Sequence, residues 1–217
     1  MIENLNNVIE IKISILGSSG VGKTCLANRF INGSFDLYSK TTPGVNYFKK
    51  ELILGNNKIN LDIWDTAGQE KYYSLGKNFY RNADIIIIVY DISNIKSFEE
   101  IKKHWYKDVQ ENGEKYKVIG IVGNKIDLFD MKGINEIDDK IIKEFIEEIS
   151  NNNKNCRFMN KKVSAKSGVN IKPLFNELIE EFFKAKNSKE KLDELSFDIS
   201  SFKPKRVENE IYKKKCC

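Results

Sequence analysis

Apolar and polar positions along the chain predict an alternation of buried strands and amphipathic helices. Strand-like composition occurs in 8–16, 85–90, 118–122 and, least clearly, 158–164. The run 85–90 has no polar face, which is typical of a central parallel strand covered on both sides. Four further segments are predicted to be helices: 23–31, 95–110, 137–149 and 171–186.

Two more strand-like runs, 47–54 and 58–65, are separated by Gly55-Asn56-Asn57, which predicts a β-hairpin. The resulting order is strand, helix, hairpin, and then repeated strand and helix units. This order predicts an α/β fold: an open, mostly parallel six-stranded sheet with helices on both faces.

The length of 217 residues fits one domain with a tail. After Lys186 the periodicity fades and charged residues and serines dominate. We therefore predict an N-terminal extension (1–7), a single folded domain (8–186) and a flexible tail (187–217).

The net charge of +5 is concentrated in the tail, because residues 184–217 contain ten basic and six acidic side chains. A nearly neutral body with a basic end argues against a nucleic-acid-binding fold and favours an anionic surface such as a membrane.

The longest apolar run has six residues, too short to span a bilayer, and we expect no secretory signal. The four cysteines show no metal-ligand spacing, which favours an intracellular protein.

A glycine-rich motif follows the first predicted strand and opens the first helix. Its residues, Gly17-Ser18-Ser19-Gly20-Val21-Gly22-Lys23-Thr24, match the phosphate-loop pattern G-x-x-x-x-G-K-[ST]. The glycines let backbone N–H groups and the helix N-terminus surround a polyphosphate. Lys23 can reach the outer phosphates, and the Thr24 hydroxyl is placed to ligate Mg²⁺.

A second motif indicates which base is bound. Asn124-Lys125-Ile126-Asp127 follows the strand 118–122, at the carboxyl edge where open α/β sheets bind ligands. A carboxylate can accept two parallel hydrogen bonds from the N1–H and amino group of guanine, and adenine lacks this donor pair. Asp127 is therefore predicted to select guanine.

A third motif ends the strand 58–65, where Asp65-Thr66-Ala67-Gly68-Gln69 faces the phosphate loop. Asp65 can hold Mg²⁺ through water, and the Gly68 N–H can meet a terminal phosphate. Gln69 is suited to orient an attacking water and is the predicted catalytic residue. No arginine is evident that could act within the same chain, and Arg29 is expected at the surface.

Residues 8–186 resemble the Ras-like small GTPases, and within them the Rab family. The resemblance rests on the three motifs above, on Ser164-Ala165-Lys166 and on the extensions Ile63-Trp64 and Glu70 of the third motif. It also rests on Phe79-Tyr80-Arg81-Asn82-Ala83, on Ile88-Val89-Tyr90-Asp91-Ile92-Ser93 and on the terminal Cys216-Cys217. It implies a switch that binds GTP and GDP, requires Mg²⁺, and hydrolyses GTP to GDP and phosphate.

The resemblance also implies roles around the nucleotide. Thr42 would ligate Mg²⁺ with Thr24 and Asp65, Phe35 and Lys125 would cover the guanine faces, and the Ala165 N–H would meet the guanine carbonyl. The small Ser19 would leave room for the attacking water. The residues assigned to nucleotide binding are Ser19, Gly20, Val21, Gly22, Lys23, Thr24, Cys25, Phe35, Thr42, Gly68, Asn124, Lys125, Asp127, Ser164, Ala165 and Lys166.

Further expectations from the resemblance concern partners and location. Tyr47, Trp64 and Phe79 would form an effector surface, and Cys216 and Cys217, after three lysines, would carry two prenyl chains. The expected partners are an exchange factor, a GTPase-activating protein, a prenyl escort or dissociation inhibitor, and effectors in vesicular traffic. The protein is expected to be a monomer that cycles between cytosol and the cytoplasmic face of an intracellular membrane, without nucleic acid.

The chain departs from the family pattern at several positions, namely Pro43, Asn46-Tyr47, Lys162-Val163 and about ten extra residues between Asp127 and Ser164. Proline fixes its own φ and biases Thr42 toward extended geometry, so the switch can open and close differently. Two alternatives follow for the function. One is a phosphate-loop kinase or ATPase, and the other is a nucleotide-binding scaffold with little or no hydrolysis.

Overall fold

The computed structural model describes residues 7–36, 42, 44–54, 57–66, 79–129 and 137–187. Six strands form one sheet: β1 (Asn7–Leu16), β2 (Val45–Leu54), β3 (Asn57–Thr66), β4 (Ile85–Asp91), β5 (Val118–Asn124) and β6 (Arg157–Lys162). Their order is β2-β3-β1-β4-β5-β6, and only the β2–β3 pair is antiparallel. The predicted hairpin and the open, mostly parallel sheet are therefore confirmed.

Every residue of β4 and β5 is buried, as the uninterrupted apolar run of β4 predicted. The helices α1 (Lys23–Asn32) and α5 (Ile171–Asn187) cover one face of the sheet. The other face is covered by α2 (Ile95–Glu100), α3 (Tyr106–Asn112) and α4 (Asp139–Asn152). None of the described helices has the length and apolar composition needed to cross a bilayer.

The predicted helix 95–110 is not uniform, because a π-helical turn, Ile101–Trp105, separates α2 from α3. In this turn the Tyr106 N–H bonds to the Ile101 carbonyl, one residue further back than in an α-helix. The wider turn leaves the adjacent side chains of Trp105 and Tyr106 both buried. A search for the 3.6-residue period does not predict this insertion.

Two predicted boundaries also shift. The strand predicted over 158–164 ends at Lys162, because the Ser164 N–H bonds to the Val169 carbonyl and the chain leaves the sheet. The helix predicted over 137–149 begins at Asp139, after the Asp138 carboxylate caps its N-terminus by accepting from the Lys140 N–H at 2.8 Å.

The parallel strands β1, β3, β4, β5 and β6 all point their carboxyl ends to the same edge of the sheet. The three sequence motifs and the loop after β6 follow these ends. The topology therefore brings together residues that are far apart in the chain, as in other open α/β sheets.

Candidate functional site

The turn between β1 and α1 needs glycine for steric reasons. Gly17 has φ +133°, and a Cβ atom there would lie 2.2 Å from the Val89 carbonyl oxygen of β4. Gly22 has φ +95° and precedes α1 without any side-chain cap on the helix N-terminus. No side-chain cap therefore occupies the N-terminus of this helix, a position that favours an anion.

Lys23 is a buried cation in this turn, only 6% exposed. Its ammonium group donates to the carbonyl oxygens of Gly17 (2.7 Å) and Ser18 (2.9 Å). Burial lowers the pKa of Lys23 to about 8, although Asp65 acts in the opposite direction. A bound anion at this turn would supply the negative charge that the buried ammonium needs.

Oxygen atoms from three segments meet beside Lys23. The Thr24 hydroxyl donates to Oδ2 of Asp65 at 2.6 Å, and its oxygen lies 2.7 Å from the Thr42 hydroxyl oxygen. Asp65 is fully buried, and its Oδ1 has no hydrogen-bond partner among the described residues. Burial raises the pKa of this carboxyl above its usual value.

This oxygen set fits a magnesium ion, which prefers hard ligands such as carboxylate and hydroxyl oxygens. The unpartnered Asp65 Oδ1 is the observation that makes the fit specific, since a buried carboxylate oxygen is costly without a partner. Thr24, Thr42 and Asp65 are thus brought together as the sequence predicted. Their role as ligands remains a prediction.

Asn46 is a member of this group that the sequence analysis recorded only as a departure from the family pattern. The β2–β3 register places it opposite Asp65, and its amide donates to Asp65 Oδ2 at 3.0 Å. The predicted separation by three residues, 55–57, did not fix this register, in which Leu54 pairs with Asn57 and Asn46 therefore lies opposite Asp65. We call residues 17–24, Thr42, Asn46 and Asp65 the phosphate-loop cluster.

Asn124, the last residue of β5, joins the phosphate loop to the loop after β6. Its amide donates to the Val21 carbonyl at 2.9 Å, and its Oδ1 accepts from the Ala165 N–H at 3.0 Å. A Cβ atom on Gly22 would lie 2.4 Å from the Asn124 amide nitrogen. The glycine therefore has a second purpose, which is to let Asn124 approach.

Asp127 lies in the short 3₁₀ turn Ile126–Leu128 that follows β5. It accepts from the buried Ser164 hydroxyl at 2.5 Å, and the Lys166 ammonium group is 3.9 Å from its other oxygen. The Ser164 oxygen in turn accepts from the Ser167 N–H at 2.9 Å. These contacts fix the orientation of the carboxylate that was predicted to read guanine.

Lys125 has φ +76°, an uncommon conformation outside glycine. Its ammonium group forms an ion pair with Asp91 at 2.7 Å. Burial by itself would raise the pKa of the Asp91 carboxyl, but Lys125 and two Ser93 donors lower it below the usual value. Asp91 has no predicted role in the sequence motifs, and the structure places it as the partner that orients Lys125.

Arg29 was expected at the surface and is half-exposed there, but its guanidinium is held by specific contacts. Its guanidinium donates to the carbonyl oxygens of Ala165 (2.8 Å), Lys166 and Gly33 (2.7 Å). The contacts with the loop after β6 span about 136 positions along the chain, so no local pattern could reveal them. We call Arg29, Lys125, Asp127, Asn124 and residues 164–166 the Asn124 cluster.

Comparison with known proteins gives the same result as the motifs. A model of the Ras family matches residues 12–184. Ras-related protein RABF2a of Arabidopsis thaliana is 36% identical over 80% of this chain and 81% of its own, and Ras-related protein Rab-31 of Rattus norvegicus is 39% identical over 76% and 80%. Ras-related protein RHN1 of Nicotiana plumbaginifolia is 35% identical over 82% and 84%.

The chain belongs to the Ras family. Its Rab-named relatives support a Rab-type small GTPase, as the sequence resemblance predicted.

The remaining residues predicted for this Rab-type GTPase differ in exposure, and some of them lie outside the described residues. Ser19 and Gly20 are exposed on the phosphate loop, and Val21 is buried. Cys25 is half-buried in the first turn of α1, and Phe35 is half-buried after that helix. Gly68, Gln69, Pro43 and the Cys216-Cys217 pair lie outside the described residues.

Tyr47, Trp64 and Phe79, the predicted effector surface, form a continuous aromatic row. The ring centroids of Tyr47 and Trp64 are 4.7 Å apart, and those of Trp64 and Phe79 are 5.4 Å apart. The Tyr47 hydroxyl donates to Asp62 at 2.6 Å. All three rings are partly exposed, so they can contact another molecule while they pack on one another.

Proposed function

We propose that this protein binds GTP and GDP in its phosphate-loop and Asn124 clusters and hydrolyses GTP to GDP and phosphate. The observation that carries the proposal is the buried pair of Lys23 and Asp65, whose mutual attraction does not offset the cost of their burial. Among the described residues, Lys23 donates only to carbonyl oxygens and one oxygen of Asp65 has no partner. A polyphosphate would supply negative charge beside Lys23, and Mg²⁺ would supply positive charge beside Asp65.

The residues of the phosphate-loop cluster would act on the triphosphate through position and charge. Lys23 and the N–H groups at the start of α1 bind the β- and γ-phosphates, which are the groups on which negative charge develops. Thr24, Thr42 and Asp65 would hold Mg²⁺, which neutralises phosphate charge when bound. Asn46 keeps the Asp65 carboxylate in its orientation through the 3.0 Å hydrogen bond.

Hydrolysis requires a water oxygen to attack the γ-phosphorus while the bridging oxygen leaves with GDP. By family resemblance Gln69 orients this water. Arg29 cannot assist within the same chain, because its guanidinium is bound to three carbonyls at the Asn124 cluster. Intrinsic turnover is therefore slow, and an activating protein that supplies an arginine would increase it by a factor of about 10³ to 10⁵.

Guanine selectivity is assigned to Asp127, whose carboxylate is oriented by Ser164. This selectivity favours a GTPase over the phosphate-loop kinase or ATPase. Competition of GTP and ATP for the site separates them, since an ATPase would bind ATP at least as well as GTP.

The proposed conformational switch depends on Thr42. Its hydroxyl lies 2.7 Å from that of Thr24, so the segment that carries it can be held when a γ-phosphate is present and released when it leaves. We further propose that the switch regulates vesicular traffic through effectors that bind the row of Tyr47, Trp64 and Phe79. This part rests on the Rab-named relatives.

Single-turnover hydrolysis tests the enzymatic proposal. Gln69→Leu is expected to bind GTP like the wild type and to lose most hydrolysis, with and without activating protein. Gln110→Leu, the same change at an exposed position of α3, is the matched control and should behave like the wild type. A Gln69→Leu rate within threefold of the wild type would remove Gln69 from the mechanism and favour another catalytic group.

Membrane attachment through prenylated Cys216 and Cys217 is the last part of the proposal. Two chains and the adjacent lysines would make attachment stable, whereas one chain binds only reversibly. The double variant Cys216→Ser, Cys217→Ser is expected to stay in the soluble fraction after cell lysis. Sedimentation of this variant with membranes would contradict the anchor.

A further inference from the structure

Arg29 connects the end of α1 to the loop after β6. Its Nε donates to the Ala165 carbonyl at 2.8 Å, Nη2 donates to the Lys166 carbonyl, and Nη1 donates to the Gly33 carbonyl at 2.7 Å. One planar group therefore links the end of α1 to the loop after β6. A lysine could not reproduce this arrangement, because its ammonium is a single point of donation.

Ala165 has a hydrogen-bonding partner on each of its two backbone polar groups. The Ala165 N–H is bound to Asn124 at 3.0 Å, and its carbonyl is bound to Arg29 at 2.8 Å. Ala165 is also 2% exposed. The peptide groups on both sides of this residue thus have defined positions before any ligand binds.

Arg29 also contacts the segment that follows α1. The Gly33 N–H bonds to the Arg29 carbonyl at 3.0 Å while the Gly33 carbonyl accepts from the Arg29 guanidinium, so the helix end is closed by one residue pair. The Arg29 guanidinium carbon lies 6.0 Å from the centroid of the Phe35 ring, at the limit of a cation–π contact. Arg29 therefore touches the segment that presents Phe35.

We propose that Arg29 is a positioning residue of the guanine pocket, which holds the Ala165–Lys166 backbone and the Phe35 segment in register and so slows nucleotide release. The inference rests on the proposed function, because it takes Ala165 and Phe35 as the neighbours of the base. Arg29 itself touches no reacting atom, and it acts through the loop that it binds.

The test is the dissociation rate of a fluorescent GDP analogue in excess Mg²⁺. Arg29→Ala removes three charge-assisted hydrogen bonds, and release is expected to accelerate by about tenfold or more. Arg29→Lys keeps the positive charge but not the planar group with its several N–H donors, and an intermediate dissociation rate is expected. Arg157→Ala, which removes a surface ion pair with Glu181, is the matched control and should release GDP at the wild-type rate.

A second readout separates positioning of the base from general weakening of the fold. In the diphosphate of 6-thioguanosine, sulfur replaces the guanine carbonyl oxygen that the family resemblance places at the Ala165 backbone, while the N1–H and amino group that Asp127 is predicted to read are kept. To bind that oxygen, the Ala165 N–H would have to share or exchange its acceptor, Asn124 Oδ1. Wild type should retain GDP longer than this analogue, and the ratio of the two dissociation rates should shrink in Arg29→Ala. Acceleration of both rates by the same factor would show a merely structural role and would overturn the proposal.

Failure of the inference and failure of the proposed function give different results. A wild type that binds no GDP at micromolar concentration contradicts the proposed function and removes the inference with it. A wild type that binds GDP, together with Arg29→Ala and Arg29→Lys at the wild-type dissociation rate, contradicts the inference alone. Should Arg29→Ala not fold, Arg29→Lys carries the same comparison with both nucleotides.

Discussion

The two halves of the site differ in how their polar groups are satisfied. In the Asn124 cluster the groups bind one another: Asn124 holds Val21 and Ala165, Ser164 holds Asp127, and Asp91 holds Lys125. In the phosphate-loop cluster, as far as the described part of the chain shows, the buried Lys23 donates only to carbonyl oxygens and Asp65 keeps one oxygen without a partner.

The pKa directions express the same contrast. Burial lowers the pKa of Lys23 and raises that of Asp65, so both charged forms are disfavoured in the protein without ligand. Asp91, beside Lys125, has a pKa below its usual value, so its charged form is favoured. One half of the site is therefore organised by the chain itself, while in our proposal the other half is completed by the charges of a ligand.

The largest expected effect is that of Lys23→Met on nucleotide affinity. Loss of charge-assisted hydrogen bonds to the phosphates should weaken GDP binding by on the order of 100-fold or more. The stability of the nucleotide-free protein should change by less than about 1 kcal/mol, because the cost of a buried cation disappears together with its two hydrogen bonds. Fluorescence titration and thermal unfolding measure the two quantities.

Lys50→Met is the control for this experiment. Lys50 is half-buried and its pKa is likewise lowered to about 8, but its ammonium group contacts the end of α1 at Phe30 and Ile31. GDP affinity should remain at the wild-type value. A large loss of stability in nucleotide-free Lys23→Met would contradict the claim that this half of the site awaits its ligand.

Asn124→Ala, in contrast to Lys23→Met, should lower the stability of the protein even without nucleotide. It leaves the buried Val21 carbonyl and Ala165 N–H without their partner, and each such group costs about 1–3 kcal/mol. We expect the free energy of unfolding of the nucleotide-free protein to fall by about 2–6 kcal/mol. Chemical denaturation measures it, with the exposed Asn160→Ala as control.

Asn46→Ala should weaken Mg²⁺ binding by about tenfold, because groups that orient a metal ligand typically contribute this much. The measurement is the Mg²⁺ concentration that half-maximally slows GDP release. Guanine selectivity over adenine should not change, since Asn46 belongs to the phosphate-loop cluster. An unchanged Mg²⁺ requirement would show that the hydrogen bond from Asn46 to Asp65 has no functional part.

The smallest expected effect is a pH dependence due to Lys50. Its pKa falls from 10.5 to about 8, first because of burial and then because of Lys172. Between pH 8 and 10.5 the unfolded chain thus binds more protons than the folded one, and the contribution of Lys50 to stability rises with pH. Lys50→Met should show a smaller increase in melting temperature from pH 7.5 to 9.5 than the wild type. An identical increase would contradict this assignment.

The sequence predicted those parts of the fold and site that depend on local order. The all-apolar strand β4, the hairpin signal at Gly55 and the motif around Lys23 each occupy a few consecutive residues, and their patterns have direct physical causes. The convergence of Thr24 and Asp65 also followed, because both come directly after parallel strands and meet at one edge of the sheet.

The parts that the sequence did not predict depend on register or on distant contacts. Asn46 acquires its partner only through the β2–β3 pairing, and Arg29 reaches carbonyls about 136 positions away. The π-helical turn at Ile101–Trp105 shifts the helical period by one residue, which a search for regular spacing averages out. Hydrophobic periodicity is insensitive to all three features.

The most direct test of the account is the identity of the nucleotide that remains on the protein after purification in Mg²⁺ buffer. Chromatography of the released ligand should give GDP or GTP in about equal amount to the protein, and chelation of Mg²⁺ should accelerate its release. Protein that is folded, carries no guanine nucleotide and takes up none at micromolar concentration would contradict the central claim.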